Sequence, residues 1–316
     1  MIQTINYSII IPHKNIPKLL QRCLDSIPQR KDIQIIVIDD NSDSDKVDFE
    51  RFPGLEIDCV KTIFTKEGKG AGYARNLGLA AATGKWLLFA DADDFFNYCI
   101  NDVFDEYIDS KADIIFFKNT SMDSELYTFS QRRSEWSRSV GHHLSTPTSQ
   151  TEYLLRYFHV VPWAKMFKRD FIIKNHILFD EIPFRNDVTF GYVSGFYAKD
   201  IIADSRALYC VTDRLNSLTT NKMTIEIALL TIYVWGKRYR FLVEHSILDH
   251  QKYFLGFLIV RSYKWYFFNG FYDKAKDVLI RLGFTHSEII GLCIGGLFVH
   301  YPLQKIKKLL GIKGIY

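Results

Sequence analysis

A cluster of acidic residues at Asp91-Ala92-Asp93-Asp94 follows directly after the apolar run 86–90. Like charges a few ångströms apart repel strongly unless a cation or a proton compensates them. Hard divalent cations such as Mg2+ and Mn2+ prefer oxygen ligands, and a metal held by one or two carboxylates keeps positions for substrate phosphates. The cluster therefore predicts a metal site formed by Asp91, Asp93 and Asp94. The alternative is a solvated acidic turn that caps the next helix.

Two other polar segments follow apolar runs in the same way. Pro12-His13-Lys14-Asn15 comes after the run 7–11, and Asp39-Asp40-Asn41-Ser42 comes after the run 33–38. Taken alone, the second segment is typical of a turn or a helix N-cap, because Asp, Asn and Ser accept backbone hydrogen bonds where regular structure stops. Because both segments would lie on the same edge of one sheet, the second is also a candidate binding loop.

A glycine-rich segment, residues 66–76, leads into an alanine- and leucine-rich helix. The helix N-terminus, Lys69 and Arg75 are groups that attract phosphate. The segment matches neither of the two common glycine-rich phosphate fingerprints in its proper place after the first strand. A merely flexible loop is the alternative interpretation.

Apolar runs alternate with helical patterns over the first 90 residues. In chain order they predict strand 7–11 stopped by Pro12, a helix over 19–27, strands 33–38 and 57–64, helix 71–82 closed by Gly84, and strand 86–90. This alternation predicts an α/β fold with a mostly parallel sheet flanked by helices. Ligands of such sheets bind beyond the carboxyl ends of the strands, where the three polar segments would lie.

The remaining sequence predicts a more irregular second half and a helical appendage. Shorter elements from 114 to 209 would complete the sheet and carry the acceptor side, and the polar stretch 130–150 predicts an exposed or mobile loop. From about Thr224 the pattern is helical and rich in aromatic residues. We therefore expect a catalytic domain over 1–220 and a helical region over 221–316.

The composition indicates which partners and which cellular compartment to expect. With 40 basic and 36 acidic residues the net charge is +4, too small to favour a nucleic-acid partner. Five scattered cysteines without a Cys-x-x-Cys pair predict reduced core residues, and the N-terminus lacks the pattern of a signal peptide, so a cytoplasmic protein is expected.

The C-terminal tail combines leucines with lysines. The apolar run 289–299 is too short to span a bilayer, but Leu303, Ile306, Leu309 and Leu310 share a helical face, with four lysines available for anionic head groups. A peripheral contact with the inner face of the cell membrane is one interpretation. A helix that packs its leucines on the protein is the other.

The ordered blocks resemble the family 2 glycosyltransferases of the GT-A fold, a Rossmann-like fold, over residues 5 to 220. The resemblance rests on Ser8-Ile-Ile-Ile-Pro12-x-x-Asn15, Ile36-Val-Ile-Asp39-Asp40-Asn-Ser42, Ala74-Arg75-Asn76-x-Gly78, and Thr83-Gly84-Lys85-Trp86-Leu-Leu-Phe89 running into Asp91-x-Asp93-Asp94. It implies that the chain transfers a sugar from a nucleotide donor with inversion at the anomeric carbon.

The resemblance also assigns residues to the donor. It implies that Pro12, His13, Asn15 and Asp40 hold the nucleotide base, usually uracil, and Arg75 is expected near the phosphates. Asp91 and Asp93 would bind the ribose and the metal-diphosphate unit, with Asp94 sharing that role. The sequence departs from the family at His13-Lys14, where a small residue and a stacking tyrosine are common; an imidazole face can stack in a similar way.

A second block resembles the family's catalytic segment. Phe179 to Phe190 is similar to the segment whose aspartate is the catalytic base, which makes Asp187 the expected base although Asn186 replaces the preceding glutamate. Inversion needs one carboxylate to take the acceptor hydroxyl proton. The alternative is that Asp187 caps a helix beginning near Val188, with Asp180 and Glu181 as other candidates for the base.

Two further segments are compared with the acceptor side of the family. Trp163-Ala-Lys165 is similar to a Trp-x-Lys segment that lines the acceptor or donor-sugar pocket, so Trp163 and Lys165 are expected there, with a core tryptophan and an exposed lysine as the alternative. Arg214-Leu-Asn216-Ser217 resembles a closing basic segment that contacts phosphate or acceptor.

Together these expectations describe an inverting hexosyl- or N-acetylhexosaminyltransferase that uses Mg2+ or Mn2+. The donor would be a nucleotide-sugar, most simply with UDP, and the acceptor a glycan or lipid-linked glycan of bacterial surface polysaccharide synthesis. Two alternatives remain: a metal-dependent nucleotidyltransferase, which would release pyrophosphate, and a nucleotide-binding module without turnover.

Overall fold

A computed structural model describes residues 4–214, 224–247, 253–266 and 270–300. The chain divides into two compact units, Met1–Ser217 and Leu218–Tyr316. The basic tail after residue 300 and residues 215–217 of the predicted closing basic segment lie outside the described residues.

The described part of the first unit contains a sheet of eight strands flanked by helices. In chain order its elements are β1 (Tyr7–His13), α1 (Pro17–Asp25), β2 (Ile33–Asp40), β3 (Val60–Thr65), α2 (Ala71–Ala81), β4 (Trp86–Phe89), β5 (Phe95–Phe96), α3 (Ile100–Tyr107), β6 (Ile114–Asp123), α4 (Ser134–Ser145), α5 (Ser149–Tyr153), β7 (Lys165–Lys168), α6 (Arg169–Lys174), α7 (Val188–Tyr197) and β8 (Ile201–Asp213). A π-helical turn, Leu154–Phe158, follows α5.

The strand order is β3-β2-β1-β4-β7-β6-β8-β5. Strands β3, β2, β1 and β4 run parallel, as do β6 and β8, whereas β7 and β5 pair antiparallel with their neighbours. The central strands β1 and β4 are buried along their whole length, which explains their continuous apolar sequences. Because their carboxyl ends share one edge, the segments after β1, β2, β3 and β4 meet there.

Two local predictions about strand and helix ends are wrong. Strand β1 continues through Pro12 to His13, because β4 ends opposite Ile10 and Pro12 pairs only with β2, where a residue without an N–H is tolerated. Helix α2 ends at Ala81 before an extended Ala82. A methyl group on Gly84 would lie 2.6 Å from the backbone nitrogen of Ser8, so this glycine permits a close approach to β1 and does not cap the helix.

The predicted loop over 130–150 contains a helix over most of its length. Helix α4 buries Trp136 and Val140, four residues apart, and the indole nitrogen of Trp136 donates to the carbonyl oxygen of Phe117 at 2.7 Å. The buried face of α4 also contains the polar residue Ser139. With only two apolar residues on that face, apolar periodicity does not indicate the helix.

The described part of the second unit is helical, as expected. It contains α8 (Ile225–Glu244), α9 (Phe254–Tyr266), α10 (Phe271–Arg281) and α11 (His286–Gly295), and the last is followed by a π-helical turn, Gly296–His300. Within these described residues we find no helix with the length and apolar content needed to cross a bilayer. All five cysteines are free, and Cys23, Cys99 and Cys210 are buried.

Candidate active site

The acidic turn after β4 has arginines as its counter-charges. The Nη2 atom of Arg75 donates to the Asp91 carboxylate at 2.6 Å, and the Nε atom of Arg214 donates to the Asp93 carboxylate at 2.8 Å. Both carboxylates are partly exposed. Burial raises the pKa of Asp91, and the charge of Asp93 adds to the shift while Arg75 opposes it.

The third carboxylate of the turn faces the protein core. Asp94 is buried, and its carboxylate accepts a hydrogen bond from the backbone N–H of Thr212 at 2.7 Å and another from the hydroxyl of Tyr209. Burial raises the pKa of Asp94 well above its usual range. The same hydroxyl accepts from the backbone N–H of Asp91 at 2.8 Å. Asp94 thus orients the turn on β8, which does not support its expected role as a metal ligand.

Two carboxylates remain available to a cation. The described residues contain no group of three or more histidine, cysteine or acidic side chains arranged as metal ligands. Asp91 and Asp93 nonetheless suit Mg2+ or Mn2+, because these ions are often held by one or two carboxylates and by substrate phosphates. Asp91 and Asp93 are thus the two side chains of the turn that could hold a cation, with substrate phosphates as its further ligands.

Arg75 connects the acidic turn to the segment 179–187. Its side chain is buried, and its Nη1 atom donates to the Asn186 side-chain oxygen at 2.7 Å while Nη2 contacts Asp91. Its guanidinium carbon also lies 5.4 Å from the centre of the Phe179 ring. Asn186, in place of an acidic residue, gives Arg75 a neutral partner, so Asp91 is the acidic residue with which Arg75 forms its ion pair.

The same face of α2 holds the segment 179–187 by backbone contacts. The Asn76 side chain donates to the carbonyl oxygen of Phe179 at 3.0 Å and accepts from its N–H at 2.9 Å. A methyl group on Gly72 would lie 2.0 Å from the carbonyl oxygen of Asp180. Gly72, Arg75 and Asn76 are three and four residues apart, so they lie on one helical face. Sequence reasoning gave Gly72 and Asn76 no role here.

Asp187 occupies the N-cap position directly before α7, but its side chain does not cap the helix. Its φ and ψ are −87° and −17°, and its side chain makes no capping hydrogen bond. Its negative charge raises the pKa of Asp91 and opposes the lowering of the pKa of Lys165. The structure therefore brings Asp187 within electrostatic reach of the acidic turn, and the capping alternative is not supported.

The other two candidates for the base have structural contacts. The Asp180 carboxylate accepts a hydrogen bond from the Thr189 hydroxyl. Glu181 accepts from the side chain of Asn76 at 3.2 Å. Both carboxylates thus take part in contacts that hold the segment 179–187.

The two residues expected on the acceptor side differ in their surroundings. Trp163 is buried, and its ring stacks on Tyr209 with 5.7 Å between ring centres, so the core alternative is correct for its side chain. Lys165 is also buried, and its Nζ atom donates to the carbonyl oxygen of His159 at 2.9 Å and lies 4.9 Å from the Trp136 ring centre. Burial lowers the pKa of Lys165 to about 7.

The end of β1 is held to the end of β2 by side-chain hydrogen bonds. The Nδ1 atom of His13 lies 2.7 Å from the Asp39 carboxylate, and its Nε2 atom accepts from the N–H of Ile16 at 3.2 Å. The Asp39 carboxylate also accepts from the Ser42 hydroxyl at 2.6 Å. His13 is buried, so its ring supports the loop and is not placed to stack on a base.

Pro12 and Asn15 also belong to this connection between β1 and β2. Pro12 is buried within β1, and Asn15 adopts a positive φ of 59°. The N–H of Asn15 donates to the Ser42 hydroxyl at 2.8 Å, and its side chain exchanges hydrogen bonds with Asp43. These residues join the ends of β1 and β2.

Asp40 has an unused acceptor. It is buried, and its Oδ2 atom accepts from the N–H of Gly70 at 2.8 Å, whereas its Oδ1 atom has no hydrogen-bond partner among the described residues. A buried carboxylate oxygen is normally paired, so a donor group of a ligand is expected at this position.

Sequence reasoning missed two residues that hold the acidic turn. Arg22 on α1 donates to the carbonyl oxygen of Asp93 at 2.5 Å, and Tyr209 on β8 contacts both Asp91 and Asp94. Arg22 occupied one of several polar positions on an amphipathic helix, and Tyr209 lies within an apolar strand. Neither has a local signal that distinguishes it from its neighbours.

The mostly parallel sheet flanked by helices, with an acidic turn at the carboxyl ends of its strands, is that of the GT-A fold. A family model described as Glycosyl transferase family 2 matches residues 8–175, and the chain belongs to this family. The family and the fold expected from the sequence are both confirmed.

Two sequence relatives are similar over different lengths. The uncharacterized glycosyltransferase EpsJ of Bacillus subtilis (strain 168) is 25% identical over 216 residues, which cover 67% of this chain and 62% of EpsJ. The amylovoran biosynthesis glycosyltransferase AmsB of Erwinia amylovora is 36% identical over 97 residues, or 28% of this chain and 31% of AmsB. The matched part of the chain thus spans less than two thirds of the length of either relative.

Two solved structures share the fold. S. aureus TarS 1-349 in complex with UDP-GlcNAc gives a TM-score of 0.58 at 20% identity, covering 84% of this chain and 75% of that chain. The mannosyltransferase PcManGT from Pyrobaculum calidifontis in complex with GDP-Man and Mn2+ gives 0.54 at 14% identity, covering 98% and 85%.

Proposed function

We propose that the chain transfers a sugar, with inversion, from a UDP-sugar to a glycan or lipid-linked glycan acceptor of bacterial surface polysaccharide, at the cytoplasmic face of the membrane. The observation that carries the proposal is the Arg75 bridge, which joins Asp91 of the acidic turn to Asn186, the neighbour of Asp187. The bridge thus holds Asp91, a proposed metal ligand, close to the segment that carries Asp187, the proposed base.

Asp91 and Asp93 are the residues that would hold Mg2+ or Mn2+. When bound, the metal neutralises charge on the diphosphate leaving group. Arg75 and Arg214, already paired with these carboxylates, contribute fixed positive charge next to the same group. PcManGT, which shares the fold, was solved with Mn2+, and this supports the proposal of a metal in this chain.

Asp187 is the proposed base. It takes the proton of the acceptor hydroxyl as that oxygen attacks the anomeric carbon from the side opposite the diphosphate. Lys165 is buried and its charge interacts with Asp187, so we propose that it supports the base electrostatically and does not touch the sugar. Trp163 likewise supports this region from the core.

Asp40 is the proposed contact to the base. Its unpaired Oδ1 atom suits an N–H donor, and uracil offers one at N3. TarS was solved with UDP-GlcNAc and PcManGT with GDP-Man, so a panel of donors is needed to identify the base. The AmsB name supports a role in polysaccharide synthesis.

The test uses hydrolysis of the donor, in which water replaces the unknown acceptor hydroxyl. A panel of nucleotide-sugars with Mn2+ is screened for thermal stabilisation, and the best donor is assayed for release of nucleoside diphosphate. We expect Asp187→Asn to keep the stabilisation and to slow release by about 100-fold or more. Asp93→Ala should lose the metal-dependent stabilisation.

The control is Asp170→Asn, which changes an exposed carboxylate on α6 and should behave like the parent. Hydrolysis by Asp187→Asn at the parental rate would disprove the assignment of the base. Release of pyrophosphate from a nucleoside triphosphate and a sugar 1-phosphate, with no nucleoside diphosphate released from any nucleotide-sugar, would show a nucleotidyltransferase. Stabilisation without any turnover in the presence of donor, metal and a glycan panel would indicate a binding module.

A further inference from the structure

Helix α11 has apolar residues on both of its faces. On one face Ile289, Leu292 and Gly295 are buried. This face packs closely on α9, since a methyl group on Gly256 would lie 1.8 Å from the carbonyl oxygen of Leu292. One side of α11 is therefore buried inside the second unit.

The opposite side of α11 and its π-helical extension is apolar and exposed. Ile290, Ile294 and Phe298 are 52%, 53% and 70% exposed, and the spacing of four residues places them on one face. We call these three residues the exposed stripe. Single exposed apolar residues are ordinary, but a contiguous row marks an interaction surface, and a helix that is apolar all round is usually buried on both sides.

The charge of the chain is divided unequally between the two units. Residues 218–316 contain 14 Lys and Arg against 6 Asp and Glu, a net charge of +8, whereas residues 1–217 contain 26 against 30, a net charge of −4. Residues 301–316, which directly follow α11, include four lysines and no acidic residue. Apolar residues beside a basic segment suit a surface that is both apolar and anionic.

The same charge argues against a second copy of the chain as the occupant of this surface. A symmetric dimer through the exposed stripe would bring two units of +8 together, and the like charges would repel. No described helix can cross a bilayer, so the contact would be parallel to the membrane plane.

We propose that the exposed stripe of α11 inserts into the interface of an anionic lipid membrane. The acyl region takes up Ile290, Ile294 and Phe298, and the anionic head groups compensate the excess of basic residues in 218–316. The exposed stripe shares no residue with the proposed sugar-transfer site. Its value to the enzyme rests on the proposed function, since membrane binding would hold the chain where a lipid-linked acceptor is found.

The test is sedimentation of the full chain with vesicles of phosphatidylcholine, with and without phosphatidylglycerol. We expect binding to vesicles that contain phosphatidylglycerol, and weaker binding at high salt. The triple variant Ile290→Ser/Ile294→Ser/Phe298→Ser should bind at least about tenfold more weakly because it removes most of the inserted apolar area. The single variant Phe298→Ser tests the same point with a smaller change.

The control is Leu126→Ser/Phe129→Ser, which removes two apolar residues of the first unit that are 74% and 75% exposed. This variant should bind like the parent. Equal binding by parent and stripe variants, or no binding to phosphatidylglycerol, would overturn the proposal, as would a dimer in light scattering that the stripe variants dissociate. Donor hydrolysis without vesicles tests the transfer function separately, so the two proposals fail in different assays.

Discussion

At the scale of single residues, the site is defined by hydrogen-bonding partners more than by residue type. Asp39 and Asp40 are adjacent in sequence, yet Asp39 is fully engaged with His13 and Ser42 while Asp40 keeps one oxygen without a partner. Successive side chains of a strand point to opposite faces, so the two carboxylates have different surroundings. Only Asp40 is available to a ligand on this basis.

This difference predicts a change of base preference in Asp40→Asn. The amide can donate where the carboxylate only accepts, so affinity for UDP should fall by about tenfold to hundredfold, since hydrogen bonds to charged groups contribute about 1.5–3 kcal/mol. The affinity for CDP, whose base offers an acceptor at N3, should fall less than the affinity for UDP or should rise. Calorimetric titration with UDP and CDP in the presence of Mn2+ measures both.

The matched control is Asp45→Asn, which changes an exposed carboxylate of the neighbouring loop. Its affinity for UDP should remain close to that of the parent. Unchanged UDP affinity in Asp40→Asn would remove Asp40 from the base site.

At the scale of elements, the position of Asp187 depends on how the segment 179–187 docks on α2. Asn76 pairs with the backbone of Phe179, Arg75 holds Asn186, and Gly72 allows the Asp180 carbonyl to approach the helix. These contacts span more than 100 residues of sequence. The helix therefore positions both Asp187, the proposed base, and Asp91, a proposed metal ligand.

We predict that Gly72→Ala slows donor hydrolysis. The new methyl group would collide with the Asp180 carbonyl oxygen at 2.0 Å, so the segment must shift away from α2 and carry Asp187 with it. A displacement of about 1 Å near a reacting group costs up to about 100-fold in rate. The rate of nucleoside diphosphate release at saturating donor measures the effect.

Gly141→Ala on α4 is the control, because a methyl group there would meet its nearest neighbour, the Lys118 side chain, at 3.5 Å. Alanine should leave the rate unchanged and stabilise the helix by up to about 1 kcal/mol. Full activity of Gly72→Ala would mean that the docking on α2 does not determine the position of the base.

At the scale of the whole molecule, the two units have different chemistry. The first unit carries the sheet edge, the acidic turn and Asp187, and has a net charge of −4; the second is helical, with a net charge of +8. The proposed donor site and the proposed membrane contact therefore belong to different units of one chain.

Hydrogen exchange measured by mass spectrometry should show this separation. Addition of UDP and Mn2+ should slow exchange in peptides that contain the segments 12–15, 66–75 and 91–94, because a ligand that binds the native state suppresses its local opening. Peptides from α8, residues 225–244, should be unaffected. Anionic vesicles should instead protect peptides from α11, and strong protection of α8 by UDP would contradict the separation.

The sequence by itself determined the order of strands and helices in the first 90 residues and the location of the acidic turn. Continuous apolar runs and helical spacing are local signals, and they indicated the strands from β1 to β4 and the helix α2. The family also follows from the order of local blocks, which the match over residues 8–175 confirms.

Only the tertiary structure decided which side chains face the site. Asp94, His13 and Trp163 all turn into the interior, and their partners are distant in sequence, as in the pairing of Asp94 with Thr212, 118 residues away. The roles of Tyr209 and Gly72 arise in the same way. Whether a polar residue serves the core or the ligand depends on register and long-range packing, and a single sequence carries no local signal of either.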